Sequence, residues 1–311
     1  MRRSFAILAT LSALSLLPIA VHAEGADGGV DHFQSDQVRN FTQDATLAGG
    51  IKVSATVLAL HKHQKEIDKV FSVAFGELRN VAEKFYAQDP NSEISRVNAR
   101  AGSEPVKVSD DTIALLEVAK KAHQQSGGAF DIASTGTGNS DAIKLSSGAN
   151  TVQFANPNLR LDVSSVVEGF LADRLVAYLW KANIDNAMVS VGNVTRSIGN
   201  DLVGPWRTVI ADMSGRYAGR GMAISFSNAS TATVTVGAKT PKPNERAGDK
   251  PAQTKCRSAT VIAKDAATAQ ALATAIYQLG PDAGLALANR VPHVRAIIRD
   301  NAGNLVKSPG L

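Results

Sequence analysis

The sequence predicts an α+β fold, with mixed or antiparallel sheets packed against helices. Two observations carry this expectation. Four segments repeat apolar residues at three- and four-residue spacing, and at least eight short β-branched or alternating runs lie between them. The two kinds of segment do not alternate regularly, which argues against a doubly wound parallel sheet.

The helical stripes are taken in chain order. Ile67, Val70, Phe71, Ala74, Leu78, Val81, Ala82 and Phe85 place one apolar face on a long helix over 65–85. Ser109, followed by Asp110 and Asp111, reads as the N-cap of a second helix that stops at Gly127-Gly128. A third begins near Val166 and runs through Leu179, and a fourth spans Ala266 to Leu279 before Gly280-Pro281.

The predicted strands are 52–60, 151–154, 159–163, 187–191, 206–211, 222–226, 231–236, 258–262 and 294–299. The last is followed by Asp300-Asn301-Ala302-Gly303-Asn304, turn chemistry for a hairpin into Leu305 and Val306.

Before the first strand the chain changes character twice. Arg2 and Arg3, an apolar run from Phe5 to Val21, and Val21-His22-Ala23 before Glu24 form the three parts of a cleavable signal peptide over 1–23. Thr10, Ser12, Ser15 and Pro18 interrupt the run, which favours processing over a retained anchor. No Cys stands near the cleavage point to take a lipid. The expectation is a soluble periplasmic or otherwise extracytoplasmic protein without a membrane span after processing. The polar, Gly- and Asp-rich stretch over 24–45 reads as a flexible arm ahead of a domain over 46–311.

Charge excludes one class of partner. The net charge of +5 falls to +3 once Arg2 and Arg3 leave with the signal. Much of that excess is local, in a basic Pro-rich loop over 239–257, so nucleic-acid binding has no basic face to rest on. Cys256 is the single cysteine and cannot form an internal disulfide, so stability must come from a core, for which the 44% of hydrophobic residues suffices.

Generic catalytic templates find little. His61-Lys62-His63 puts two imidazoles at a strand end without a third ligand of suitable spacing, and His123 and His293 read as surface or internally satisfied residues. Ser126-Gly127-Gly128-Ala129 and Ser190-Val191-Gly192-Asn193 are small-residue turns, either plain turns or places of close backbone approach to a ligand. From the residues alone, no catalytic group is assigned.

The order of several segments is more informative. Asn91-Ser92-Glu93-Ile94-Ser95-Arg96-Val97-Asn98, Gly128-Ala129-Phe130-Asp131-Ile132, and Leu161-Asp162-Val163-Ser164-Ser165 through Glu168-Gly169-Phe170 resemble, in that order, segments of the bacterial FAD:protein FMN transferase (ApbE) family. Gly192-Asn193, Gly204-Pro205-Trp206-Arg207, Ser258 to Ala263 and Ala271 to Pro281 continue the likeness, from about Thr46 to the C-terminus.

The resemblance implies an ApbE-like flavin transferase fold and a protein that binds FAD with Mg²⁺. It would transfer FMN to a Ser or Thr of an exported flavoprotein and release AMP. It further implies flavin-nucleotide contacts at Tyr86, Ala129, Phe130, Asp131, Asp162 and Glu168. The cation would be held by the Ser165 backbone carbonyl and the Thr274 side chain.

By that resemblance, several parts of one site depart from the family together. Gln270 stands where the family has a metal-binding Asp, four residues before Thr274 on the same helical face. Ala232-Thr233 replaces a Ser-Gly pair, and 241–248 lacks the family's His, Asp and Thr. The stretch after Asp131-Ile132 is shortened to Ala133-Ser134-Thr135-Gly136. These changes imply weakened catalysis, or a non-catalytic member that binds a flavin nucleotide or a protein partner.

Overall fold

The computed structural model describes residues 37–135, 140–210, 222–235 and 255–311. The expected signal peptide, most of the expected arm, and nearly all of the basic loop with its 241–248 segment lie outside the described residues.

The chain opens with a hairpin of β1 (Val38–Thr46) and β2 (Lys52–Leu60). Helix α1 (Gln64–Glu83), helix α2 (Glu93–Ala99), β3 (Val106–Lys107) and helix α3 (Asp110–Ser126) follow. Short strands β4 (Ala133–Thr135), β5 (Ile143–Ser146), β6 (Thr151–Phe154) and β7 (Arg160–Leu161) lead into helix α4 (Ser164–Lys181). Next come β8 (Ala187–Val191), β9 (Val194–Ile198), β10 (Trp206–Ile210), β11 (Met222–Phe226) and β12 (Ser230–Thr235). The last part is β13 (Ser258–Ala263), helix α5 (Ala266–Leu279), helix α6 (Pro281–Arg290), β14 (Arg295–Arg299) and β15 (Leu305–Lys307).

Eight strands form one sheet in the order β1-β2-β8-β9-β12-β13-β14-β15, every neighbouring pair antiparallel. Its centre buries a continuous apolar face. Val53, Ala55 and Val57 of β2 stand opposite Val191, Val189 and Ala187 of β8, and all six are buried. Alternation puts these residues on one side of the pleat, where α4 packs across β8 and β9 and α5 across β9, β12 and β13. Helix α1 then lays Phe71, Phe75 and Leu78 into the same core, against α4. Among the described residues no helix is long and apolar enough to cross a membrane.

Three expectations are corrected. The stretch over 24–45 is not all arm, because β1 begins at Val38 and pairs with β2 along nine residues. As an edge strand it is largely solvent-facing, only Phe41 and Ala45 packing against the core, so it lacks the alternation that marks a half-buried strand. His61-Lys62-His63 is a turn of 3-10 helix beyond β2 rather than a strand end, since α1 starts at once behind it. The strand expected over 159–163 is only two residues long, because Leu159 closes a turn onto the Asn156 carbonyl. The structure also adds α2, α6 and the strands β3, β4, β5 and β9. Pro281, read as a stop, is the first residue of α6, where its missing N–H costs nothing.

Helices α4 and α5 cross closely at Gly169. A Cβ there would lie 2.3 Å from the Ala266 carbonyl oxygen and 2.7 Å from the Ala267 Cα, both backbone. Asp173, one turn further along α4, accepts from the Ala266 and Ala267 N–H groups at 2.8 and 3.0 Å, capping α5, and pairs with Arg196 of β9. Gly169→Ala is therefore expected to cost about 2–3 kcal/mol, because helix backbone must move to admit the methyl; urea denaturation of the folded variant checks this.

Candidate functional site

The site is assembled from the N-terminal half of α4, and the motif 91–98 positions it. Ser92 caps α2 by accepting from the Ser95 N–H. The Glu93 carboxylate gathers the start of α3, accepting from the Ser109 N–H and hydroxyl at 2.8 and 3.0 Å and from the Thr112 hydroxyl at 2.5 Å. At the other end of α2, the Asn98 amide takes the place of a strand neighbour. It accepts from the Leu161 N–H at 2.7 Å and donates to the Leu161 carbonyl at 3.0 Å. The residue so clamped precedes Asp162.

Asp162 and Asp131 are adjacent in space through their backbones, because the Asp162 N–H donates to the Ile132 carbonyl at 2.8 Å. Asp162 Oδ1 accepts from the Ser164 N–H at 3.0 Å and so caps the entry to α4. Asp131 organises its loop: Oδ1 accepts from the Ala133 N–H at 2.8 Å and from the Ser140 hydroxyl, and Oδ2 lies 3.4 Å from His123 Nδ1.

His123 is buried and satisfied, its Nδ1 bonding the Phe130 carbonyl at 2.9 Å and its Nε2 lying 3.6 Å from Asp141. The Ser126 hydroxyl accepts from the Phe130 N–H at 2.9 Å. Gly127 and Gly128 both have positive φ, which the reversal after α3 requires. With no exposed surface and both backbone polar groups engaged, Phe130 is a core residue that fixes the loop. Ala129 beside it is half-buried. Tyr86 lies elsewhere, half-buried after α1 with its ring near Gly49.

A cleft of about 150 Å³ opens at the N-terminus of α4, lined by Ser164, Ser165, Glu168, Asn193, Thr233, Gln270 and Thr274 among others. Three residues singled out from the sequence, Ser165, Glu168 and Thr274, thus meet here with Gln270. Ala232-Thr233, singled out with Gln270 as a departure from the family, also lines the cleft; Ser164 and Asn193 were not anticipated there beyond the Gly192-Asn193 turn. That turn is tight for a reason. Gly192 has φ +54°, and a Cβ on it would fall 2.2 Å from the Glu168 carboxylate, whose Oε2 accepts from the Asn193 N–H at 3.2 Å. Burial pushes the Glu168 carboxyl above the ordinary carboxylate range, and the Asn193 N–H partly offsets this.

Gln270 is buried and fully committed. Its Oε1 accepts from the Gly169 N–H at 2.8 Å, while Nε2 faces the Ser164 carbonyl at 3.5 Å and Glu168 Oε2 at 3.4 Å. Thr274 donates to the Gln270 carbonyl one turn back at 3.1 Å. Mg²⁺ calls for oxygen ligands at about 2.0–2.1 Å, usually with one or two carboxylates. Among the described residues the cleft offers a single carboxylate with an amide NH₂ in front of it, and no group of three or more His, Cys, Asp and Glu able to hold a metal exists. As arranged, these residues do not fit Mg²⁺.

The profile of the ApbE family matches residues 50–139 and 135–298. The FAD:protein FMN transferase of Treponema pallidum is 30% identical over 261 residues, covering 68% of this chain and 71% of that protein. The enzyme of the same name from Vibrio cholerae is 25% identical over 274 residues, covering 76% and 80%. Among solved structures, the flavin transferase ApbE from Vibrio cholerae superposes with a TM-score of 0.69 at 21% identity, covering 88% of this chain and 98% of that one. The apo flavinyl transferase ApbE of Pseudomonas stutzeri gives 0.70 at 19%, covering 88% and 96%. The α+β architecture is the one those structures have.

Because the folded pKa of Glu168 is raised, its contribution to stability is complete below the ordinary value of 4.5 and is lost as pH rises through the folded value. Glu168→Gln removes that loss. Urea denaturation at pH 4 and pH 7 should show the variant gaining on the natural protein at the higher pH.

Proposed function

The chain belongs to the ApbE family, and on that premise we propose that it binds FAD with the pyrophosphate at the α4 cleft and transfers the FMN half to a Ser or Thr hydroxyl of an exported flavoprotein. The acceptor oxygen bonds to the phosphorus of the FMN half, the bridging P–O bond to AMP breaks, and the hydroxyl proton is released. The carrying observation is the cleft, where the N-terminus of an 18-residue helix meets Glu168, Asn193, Thr233, Gln270 and Thr274. A helix N-terminus favours the negative pyrophosphate.

In this reading the chain's own residues bind and orient. Asp131 and Asp162 hold the two loops that border the start of α4, and Ala129 and Glu168 contact the nucleotide. Phe130 acts from beneath, through the loop. Tyr86 is the stacking partner for the flavin ring. Ser165 and Thr274 are polar walls of the cleft. The place of action is the periplasm, reached through the signal peptide over 1–23.

A second reading is favoured by Gln270: the protein binds a flavin nucleotide without transferring it. Losing a charged stabiliser of phosphoryl transfer typically costs about 10²-fold or more in rate.

One experiment separates the readings. The purified protein is mixed with FAD and an acceptor protein carrying a flavinylation motif, with and without Mg²⁺, and AMP release and acceptor mass are measured. Transfer gives an FMN-sized mass gain that depends on the protein. FAD binding without that gain establishes the binder. Asp131→Ala, which frees the Ala133 N–H and Ser140, is expected to weaken FAD binding about 10-fold, because the loop that Asp131 holds must be ordered on binding; flavin fluorescence quenching reads it.

A further inference from the structure

The orientation of the Gln270 carboxamide is set by its surroundings. Gly169 N–H is a donor, so the atom 2.8 Å from it must be the amide oxygen. The Ser164 carbonyl and the Glu168 carboxylate are acceptors, so the group facing both must be the NH₂. A flipped amide would set donor against donor and place its oxygen before two other oxygens.

The NH₂ therefore stands between two oxygens of the kind that ligate a divalent cation, a backbone carbonyl and a carboxylate, and it is partly positive as a cation is. Its own oxygen, the one atom that could ligate, is turned away into helix α4. Glu168, the single carboxylate of the cleft among the described residues, is held against the amide on one side and the Asn193 N–H on the other.

We propose that the Gln270 carboxamide is a built-in replacement for a divalent cation: its NH₂ joins the Ser164 carbonyl to Glu168, closes the cleft to metal, and leaves flavin-nucleotide binding independent of cations. The flavin part rests on the function proposed above; the exclusion of metal does not. Gln270 acts here as a positioning residue, because it works through Glu168 and the first turn of α4.

Mn²⁺ is the probe for the metal claim, titrated into the purified protein with the free ion read by electron paramagnetic resonance. The natural chain should show no saturable site that depends on Glu168. Gln270→Asp should strengthen Mn²⁺ binding by at least about 10-fold, since a second carboxylate replaces a blocking NH₂, and adding Glu168→Gln should abolish the gain. Gln270→Glu keeps the reach of the natural side chain and gives the same readout where the shorter Asp fails to fold. The proposal is overturned if the natural chain binds Mn²⁺ at a site that Glu168→Gln removes, or if folded Gln270→Asp and Gln270→Glu leave Mn²⁺ affinity unchanged.

FAD binding is then measured by flavin fluorescence in EDTA and in Mg²⁺. Equal affinity is expected; a tightening of about 10-fold with Mg²⁺ overturns the cation independence. Absence of FAD binding in both media removes the proposed function, and with it the flavin part, while the Mn²⁺ titration still decides the metal claim.

Discussion

The close crossing of α4 and α5 is the constraint from which the rest of the site follows. Gly169 lets the Ala266 backbone approach to a distance that no side chain would permit, and Asp173 secures that approach by capping α5 with both carboxylate oxygens. Arg196 of β9 holds the same carboxylate, so the two helices and the sheet are tied at one point. Gln270 lies one turn into α5 and is thereby brought onto the Gly169 N–H and beside Glu168. Moving the helices apart by even a methyl diameter would dissolve these contacts, because close-packed interiors do not deform continuously.

Around that crossing, the segments that resemble the family serve mainly as scaffold. Glu93 and Asn98 join α2 to the start of α3 and to the backbone ahead of Asp162. His123, Ser126 and Phe130 form a buried set of hydrogen bonds beneath the Asp131 loop. A charged or polar residue in a motif thus need not meet a ligand. Burying such groups is costly unless each is paired, and here the pairing is what sets the loop geometry.

The fold was legible wherever burial imposes a period. Strands 52–60, 151–154, 187–191 and 222–226 and the helix over 266–279 have the bounds that apolar alternation and capping indicate. Strand β1 was hidden because an edge strand that faces solvent carries no such pattern. The seven residues of α2 are too few for a stripe to show, and β9 follows its partner β8 so closely that the turn dominates the reading. Of the site, Glu168, Ser165 and Thr274 could be placed only through the family resemblance, since helical spacing links Gln270 to Thr274 but says nothing of α4. Asn193 and Ser164 contribute backbone groups, which leave no signature in side-chain identity.

Gln270 separates two properties that a metal-binding carboxylate would join. The carboxamide reaches Gly169 and Glu168 and so preserves the shape of the cleft, but it brings no ligand to a cation and no full charge to a phosphate. On the proposed reading, a flavin nucleotide is held chiefly by the shape of the cleft and by the α4 N-terminus, neither of which calls for a charge at position 270. Acceleration of phosphoryl transfer depends on charge placed where charge develops, and that is the element the substitution alters. On that reading the same side chain keeps the cleft well formed while lowering what the cleft can do to a bound nucleotide.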